Sequence, residues 1–200
     1  MTPTLERDEF GDEVVTWRVP LGSGAVPHVS LADCGHYVRW LLDNQSEADG
    51  LDLEVAISHI GYHELAEAFA KVTGRKARYI DVSLEEYWRE GPMSKGRSRP
   101  AGYNSNMQDP GAMSIEENFS GFWNMWRASG GNRGVIKRDY ALLDRIFPAR
   151  VKTAEEWFRQ EDERGRKAGE GGLWERTVLA ATGKGKPILK VGEDKRKGKL

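Results

Sequence analysis

The feature that most constrains this chain is an alternation of β-rich runs and amphipathic helical stretches through its first half. Val14-Val15-Thr16-Trp17-Arg18-Val19 is β-branched and aromatic, and it stops at Pro20, which cannot donate to a sheet ladder. Residues 27–31 alternate weakly and read as a second short strand. Asp33 then stands where its carboxylate can accept from the free amides of a first helical turn, and Tyr37, Val38, Leu41 and Leu42 fall on one side of the helix beyond it. Residues 53–57 form a third β-rich run. Gly61 opens a helix with Leu65, Phe69 and Val72 at spacings of four and three, and Gly74 sits where a left-handed cap would end it. Residues 78–82 are the fourth run. Strands and helices in this order predict an α/β fold built on a parallel sheet with helical crossovers.

The second half is helical in pattern. Ser83 with Glu86, Ser114 with Glu117 and Thr153 with Glu156 have the spacing of capping boxes, in which hydroxyl and carboxylate satisfy orphan amides reciprocally. The helix after Ser114 carries Ile115, Phe119, Phe122, Trp123 and Trp126 on one broad face. Core burial is the plainer account of that face, and a ligand pocket is the sharper one. Residues 91–112 are rich in Gly, Pro, Ser, Arg and Asn and predict a long, flexible surface loop. From Lys184 onward seven basic residues face two acidic ones, so residues 183–200 are expected to form a basic, flexible tail after one unit spanning 1–182.

Composition removes several classes. A formal net charge of −1 gives no global attraction to nucleic acid or to an acidic membrane. The tail lacks interleaved aromatics, and Glu193-Asp194 interrupts it, which argues against nucleic-acid binding there too. The single cysteine, Cys34, excludes an internal disulfide framework. The first ten residues have no apolar centre of a secretory signal, and no run approaches the ~20 apolar residues that cross a bilayer. A cytoplasmic chain is expected, with nuclear residence as the alternative.

No complete catalytic motif is present. Gly22-Ser23-Gly24-Ala25-Val26-Pro27 begins like a dinucleotide fingerprint, but Pro27 replaces the third glycine and a β-rich run follows instead of a helix. His63-Glu64-Leu65-Ala66-Glu67 is half a zinc-protease signature, with Glu67 where the second imidazole belongs. His59 and His63 are four apart but straddle Gly61, so they need not share a face. No metal site is expected. No Tyr is followed four residues later by Lys, and Pro187 follows Gly183-Lys184-Gly185-Lys186 where a phosphate loop needs Ser or Thr. No catalytic residue is assigned.

Several runs, taken in order, resemble the second half of the NmrA-like family, atypical relatives of the short-chain dehydrogenase/reductases. They are Trp17-Arg18-Val19-Pro20-Leu21-Gly22, Val26-Pro27-His28-Val29-Ser30, Asp33-Cys34-Gly35, Glu64-Leu65-Ala66-Glu67-Ala68-Phe69 and Val72-Thr73-Gly74. Asn118-Phe119-Ser120-Gly121-Phe122-Trp123, Arg138-Asp139-Tyr140-Ala141-Leu142-Leu143-Asp144 and Glu155-Glu156-Trp157 continue the likeness, which runs from about Val14 to Arg159.

The resemblance implies the later strands of a Rossmann-type sheet plus the helical C-terminal, substrate-side region. The N-terminal dinucleotide-binding half is expected to be absent. It implies NADP or NAD as cofactor, and either an NAD(P)H-dependent reductase or a redox sensor acting in transcriptional regulation. Phe119, Trp123 and Trp126, with Tyr103 from the loop, are expected nearest the ligand cleft, supplying shape and stacking. A sheet short of neighbours predicts that residues 14–19 and 53–57 lose partners, favouring self-association or a protein partner at an exposed edge. A non-enzymatic interaction module is the alternative.

Overall fold

The computed structural model describes residues 3–102, 106, 108–134 and 136–184. Its architecture is mixed α/β. Strands β1 (Thr4–Arg7) and β2 (Glu13–Val19) pair antiparallel, and β2 pairs parallel with β5 (Ala77–Asp81), in the order β1-β2-β5. The parallel register sets Val15 against Ala77 and Val19 against Asp81, so both strands end together near Pro20 and Val82. Two-residue strands β3 (Val26–Pro27) and β4 (His59–Ile60) form a second small sheet. Between them lie helices α1 (Cys34–Asp43) and α2 (Gln45–Ala48).

Helix α3 (Tyr62–Thr73) is the organising element. It packs on β2 and β5 and, on its other side, on α7 (Ala154–Lys167). Phe69, 1% exposed, meets Trp17 of β2 and Phe158 of α7 edge-on, each with ring centroids 5.5 Å apart. Covering one such ring stabilises the fold by about 1.5–3 kcal/mol. Gly74 ends α3 at φ 65°, the left-handed position that favours glycine. Helix α4 (Leu84–Glu90) buries Tyr87 and Trp88 against α5 (Ile115–Ala128), where the Trp88 indole donates to Ser120 at 2.9 Å. Helices α6 (Tyr140–Ile146) and α8 (Leu173–Ala181) complete the chain, with short 3-10 turns at Ser94–Gly96 and Gly130–Asn132.

Ser114 and Thr153 form full capping boxes, as their spacing predicts; Ser83 accepts from the Glu86 amide in the same position. Between α4 and α5, a Pro100–Ser114 bridge closes the second part of the Gly/Pro-rich stretch.

Five expectations are corrected. The second strand is two residues long and starts one residue earlier, at Val26. Asp33 precedes α1 but does not cap it. Its backbone is already helical, and its carboxylate accepts from the Val151 amide at 3.1 Å, a partner 118 residues away. Of the apolar side of α1 only Tyr37 is buried, while Val38 and Leu42 are 55% and 63% exposed. Residues 14–19 do not lack partners, since β1 and β5 flank them. Residues 53–57, by contrast, form no strand. The buried Arg150 guanidinium takes their carbonyls, with Nη1 donating to Ala56 at 3.2 Å and Ile57 at 2.6 Å. These carbonyls are thus satisfied without a neighbouring strand.

Candidate functional site

A groove of about 830 Å³ lies between β2, α3, α7 and α8. Three helices reach it by the same periodicity. Tyr62, Leu65 and Phe69 of α3 lie three and four residues apart; Ala154, Trp157, Phe158 and Glu161 of α7 repeat the pattern; so do Leu173, Arg176, Thr177 and Ala180 of α8. That spacing stacks side chains on one face of each helix. Trp17, Ile57 and Ile60 supply further apolar wall, and the segment from His28 to Leu31 supplies an edge, where Leu31 is 84% exposed.

The polar groups of the groove are arranged so that no charge is left alone. Glu161 is bonded to Arg164 at 2.7 Å and to Arg176 at 3.3 Å. The Arg164 guanidinium, helped by that of Arg176, holds its carboxyl below the usual range. His28 meets Tyr62 edge-on, with ring centroids 6.3 Å apart. Burial pushes its imidazole down to about 4, so it is neutral at neutral pH. Its Nε2 is buried with no hydrogen-bond partner among the described residues. Burial likewise raises the Tyr62 hydroxyl.

Tyr103 lies outside the described residues. The structure brings Phe119, Trp123 and Trp126 together on one side of α5, in contact with Phe122 at centroid distances of 5.9, 5.3 and 6.0 Å. Phe119 is half-buried, Trp126 is buried and Trp123 is fully covered. None of the three lines the groove. Trp123 stands one ring behind it, 6.4 Å from Tyr62 and 5.6 Å from Tyr87. The wall residues Trp17, His28, Tyr62, Leu65 and Trp157 were not singled out as site residues. The helical spacing of Leu65 and Phe69 was visible, but the same spacing marks any core-facing helix.

The remaining motifs resolve into structural roles. His59 and His63 part company. His59 Nδ1 lies 2.7 Å from the Tyr140 hydroxyl, whereas His63 packs edge-on against Tyr79 at 5.0 Å. Cys34 is half-buried, with Sγ 3.6 Å from the Ser30 carbonyl. No group of three His, Cys, Asp or Glu among the described residues is placed to hold a metal ion. No helix among them is long and apolar enough to cross a membrane.

The Gly22–Gly24 turn does sit at the carboxyl ends of the parallel strands, where α/β folds bind nucleotides. It does not fit a pyrophosphate. The Gly22 amide already donates to Asp81 at 2.8 Å, and a Cβ placed at Gly24 would lie 2.5 Å from the Trp126 carbonyl. The glycine is there because α5 packs directly on the turn.

Comparison with known proteins adds the lineage. The model of the NmrA-like family matches residues 1–121. An NmrA-like family domain-containing oxidoreductase, ptmS of Penicillium ochrochloron, is 42% identical over 72 residues, which cover 34% of this chain and 21% of that protein. The match thus spans about a fifth of the relative's length. With ordered motifs, a parallel strand pair joined through a helix and a family match over more than half its length, the chain belongs to the NmrA-like family.

Proposed function

We propose that this chain forms the ligand-side region of an NAD(P)-linked reductase or redox sensor, with the groove between α3, α7 and α8 as its ligand recess. The observation that carries this is the groove itself: concave, largely apolar, within the ~300–1,000 Å³ typical of small-molecule sites, with its β2 and α3 walls inside the residues that match the family. In this arrangement Trp123 backs the recess through Tyr62, and the aromatic face of α5 holds the wall in shape. The Gly22–Gly24 turn forms no cradle for the cofactor's phosphates, and no chemical step is assigned. The partial Rossmann-like character rests on the parallel β2–β5 pair and on the family.

Titration with NADPH while following tryptophan emission tests the cofactor link. Saturable quenching at micromolar NADPH supports it. A flat titration, with a defined protein partner co-purifying, supports the second reading, a non-enzymatic interaction module. That alternative has an observation of its own. Among the described residues, positions 53–56 make no backbone ladder with any strand, and Leu31, Val38 and Leu42 are exposed nearby in sequence. A stretch of backbone that makes no ladder can take a partner strand or a second copy.

A further inference from the structure

The ligand class can be narrowed from the walls of the groove. Five aromatic side chains, Trp17, Tyr62, Phe69, Trp157 and Phe158, contribute to it, and flat rings are matched by flat rings. Its charged groups are consumed internally. Glu161 pairs with both Arg164 and Arg176, and Arg164 also lies 3.6 Å from Glu170. A ligand charge entering here would lose hydration without a free counter-ion to meet it, a cost of several kcal/mol in an apolar site. Two buried polar atoms of the lining have no partner among the described residues, His28 Nε2 and Arg176 Nε. A buried polar atom left unpaired is a standing penalty that a ligand heteroatom relieves.

We infer that the groove takes an uncharged, flat, mostly apolar molecule, roughly two to four rings in size, whose few hydrogen-bonding heteroatoms are placed at His28 and Arg176. This rests on the groove being the ligand recess proposed above, and does not require the chain to bind NAD(P). The size follows from a volume of about 830 Å³, and the lack of charge follows from the closed Glu161–Arg164–Arg176 network.

The test uses N-phenyl-1-naphthylamine, an uncharged fluorescent molecule with one N–H, against anilinonaphthalene sulfonate, a similar ring system carrying a charge. No NADPH is added, so failure here and failure of the cofactor titration are separate results. The uncharged probe is expected to bind saturably at micromolar concentration with quenching of tryptophan emission, and the sulfonate about tenfold or more weaker. Thr177→Trp fills the groove from α8 and is expected to lower affinity for the uncharged probe at least about tenfold, with the circular dichroism spectrum unchanged. If that variant does not fold, Ala180→Phe on the same face replaces it. His28→Phe keeps the volume, removes the heteroatom and should weaken binding about three- to tenfold. Equal affinity for the two probes, binding indifferent to Thr177→Trp, or no saturable binding at all would overturn the inference. So would sedimentation showing a dimer that excludes the probe, because the occupant would then be a second copy.

Discussion

Strand β2 and residues 53–57 are similar pieces of chain with opposite fates. Both are short and rich in β-branched or aliphatic residues, and both bury some of their side chains: Val15 and Thr16 are 0% exposed, Ala56 and Ile57 2% and 4%. β2 is held on one edge by β1 and on the other by β5, so nearly all its residues are covered on both faces. In residues 53–57 the Arg150 guanidinium takes the Ala56 and Ile57 carbonyls, the Ile57 amide donates to the His28 carbonyl at 2.6 Å, and the half-buried Leu53 and Val55 flank an exposed Glu54. The lesson is that a β-rich run becomes a strand only when another backbone arrives to take its hydrogen bonds. A single well-placed guanidinium is enough to divert it.

The contrast is most severely tested at Val15, whose amide donates to the Lys76 carbonyl at 3.0 Å and whose side chain is fully covered. Val15→Pro removes the donor and disturbs the packing, and is expected to cost at least about 3 kcal/mol in denaturant unfolding. Amide exchange should show the same division without mutation. The β2 amides should be protected near the global limit and those of residues 53–55 should exchange by local opening.

Arg150 is the next lever. Arg150→Met leaves the carbonyls of Ala56, Ile57 and Val151 without their donor and should cost about 2–4 kcal/mol. If the loss is under about 0.5 kcal/mol, the guanidinium is not what holds that segment out of a sheet.

A pH scan probes the edge of the groove that adjoins this segment. His28 titrates at about 4 when folded against an ordinary 6.5, so the unfolded chain takes up the proton first. The native state is therefore penalised progressively as pH falls from 6.5 towards 4, by up to about 3 kcal/mol, and not above that window. His28→Gln should flatten that part of the profile. A scan of the variant that overlays the wild type would show that His28 is not held neutral by burial.

The smallest effect is expected at the outer edge of the paired sheet. Glu6 bonds Arg18 at 2.7 Å and Arg78 at 2.8 Å, and these cations hold its carboxyl down to about 2 from 4.5. Its contribution is present above pH 4.5 and lost as pH falls through 2. Because the arginines are largely exposed, Glu6→Gln should cost less than about 1 kcal/mol at neutral pH, with the effect shrinking in high salt.

Local signals in the chain were legible where the physics is local. The stop of α3 at Gly74 and the capping boxes at Ser114 and Thr153 depend on atoms within a few residues, and they were readable directly. The family was readable from ordered short runs. Asp33 misled because its carboxylate found Val151, far away in the chain, instead of the amides beside it. The aromatic face of α5 was recognised as unusual. That it backs Tyr62 instead of lining the groove depends on how α5 lies against α3 and α4, which no spacing within α5 encodes.

The sequence by itself determined an alternating α/β chain of NmrA-like lineage, the ends of those helices closed by local caps and the absence of a self-sufficient phosphate-binding motif in its glycine turn. Only the tertiary structure decided which β-rich run pairs, which aromatic rings line the groove and which charges cancel there. Propensity and capping act between near neighbours. Strand pairing, burial and ion pairing are settled by whatever distant group reaches the site in the folded chain.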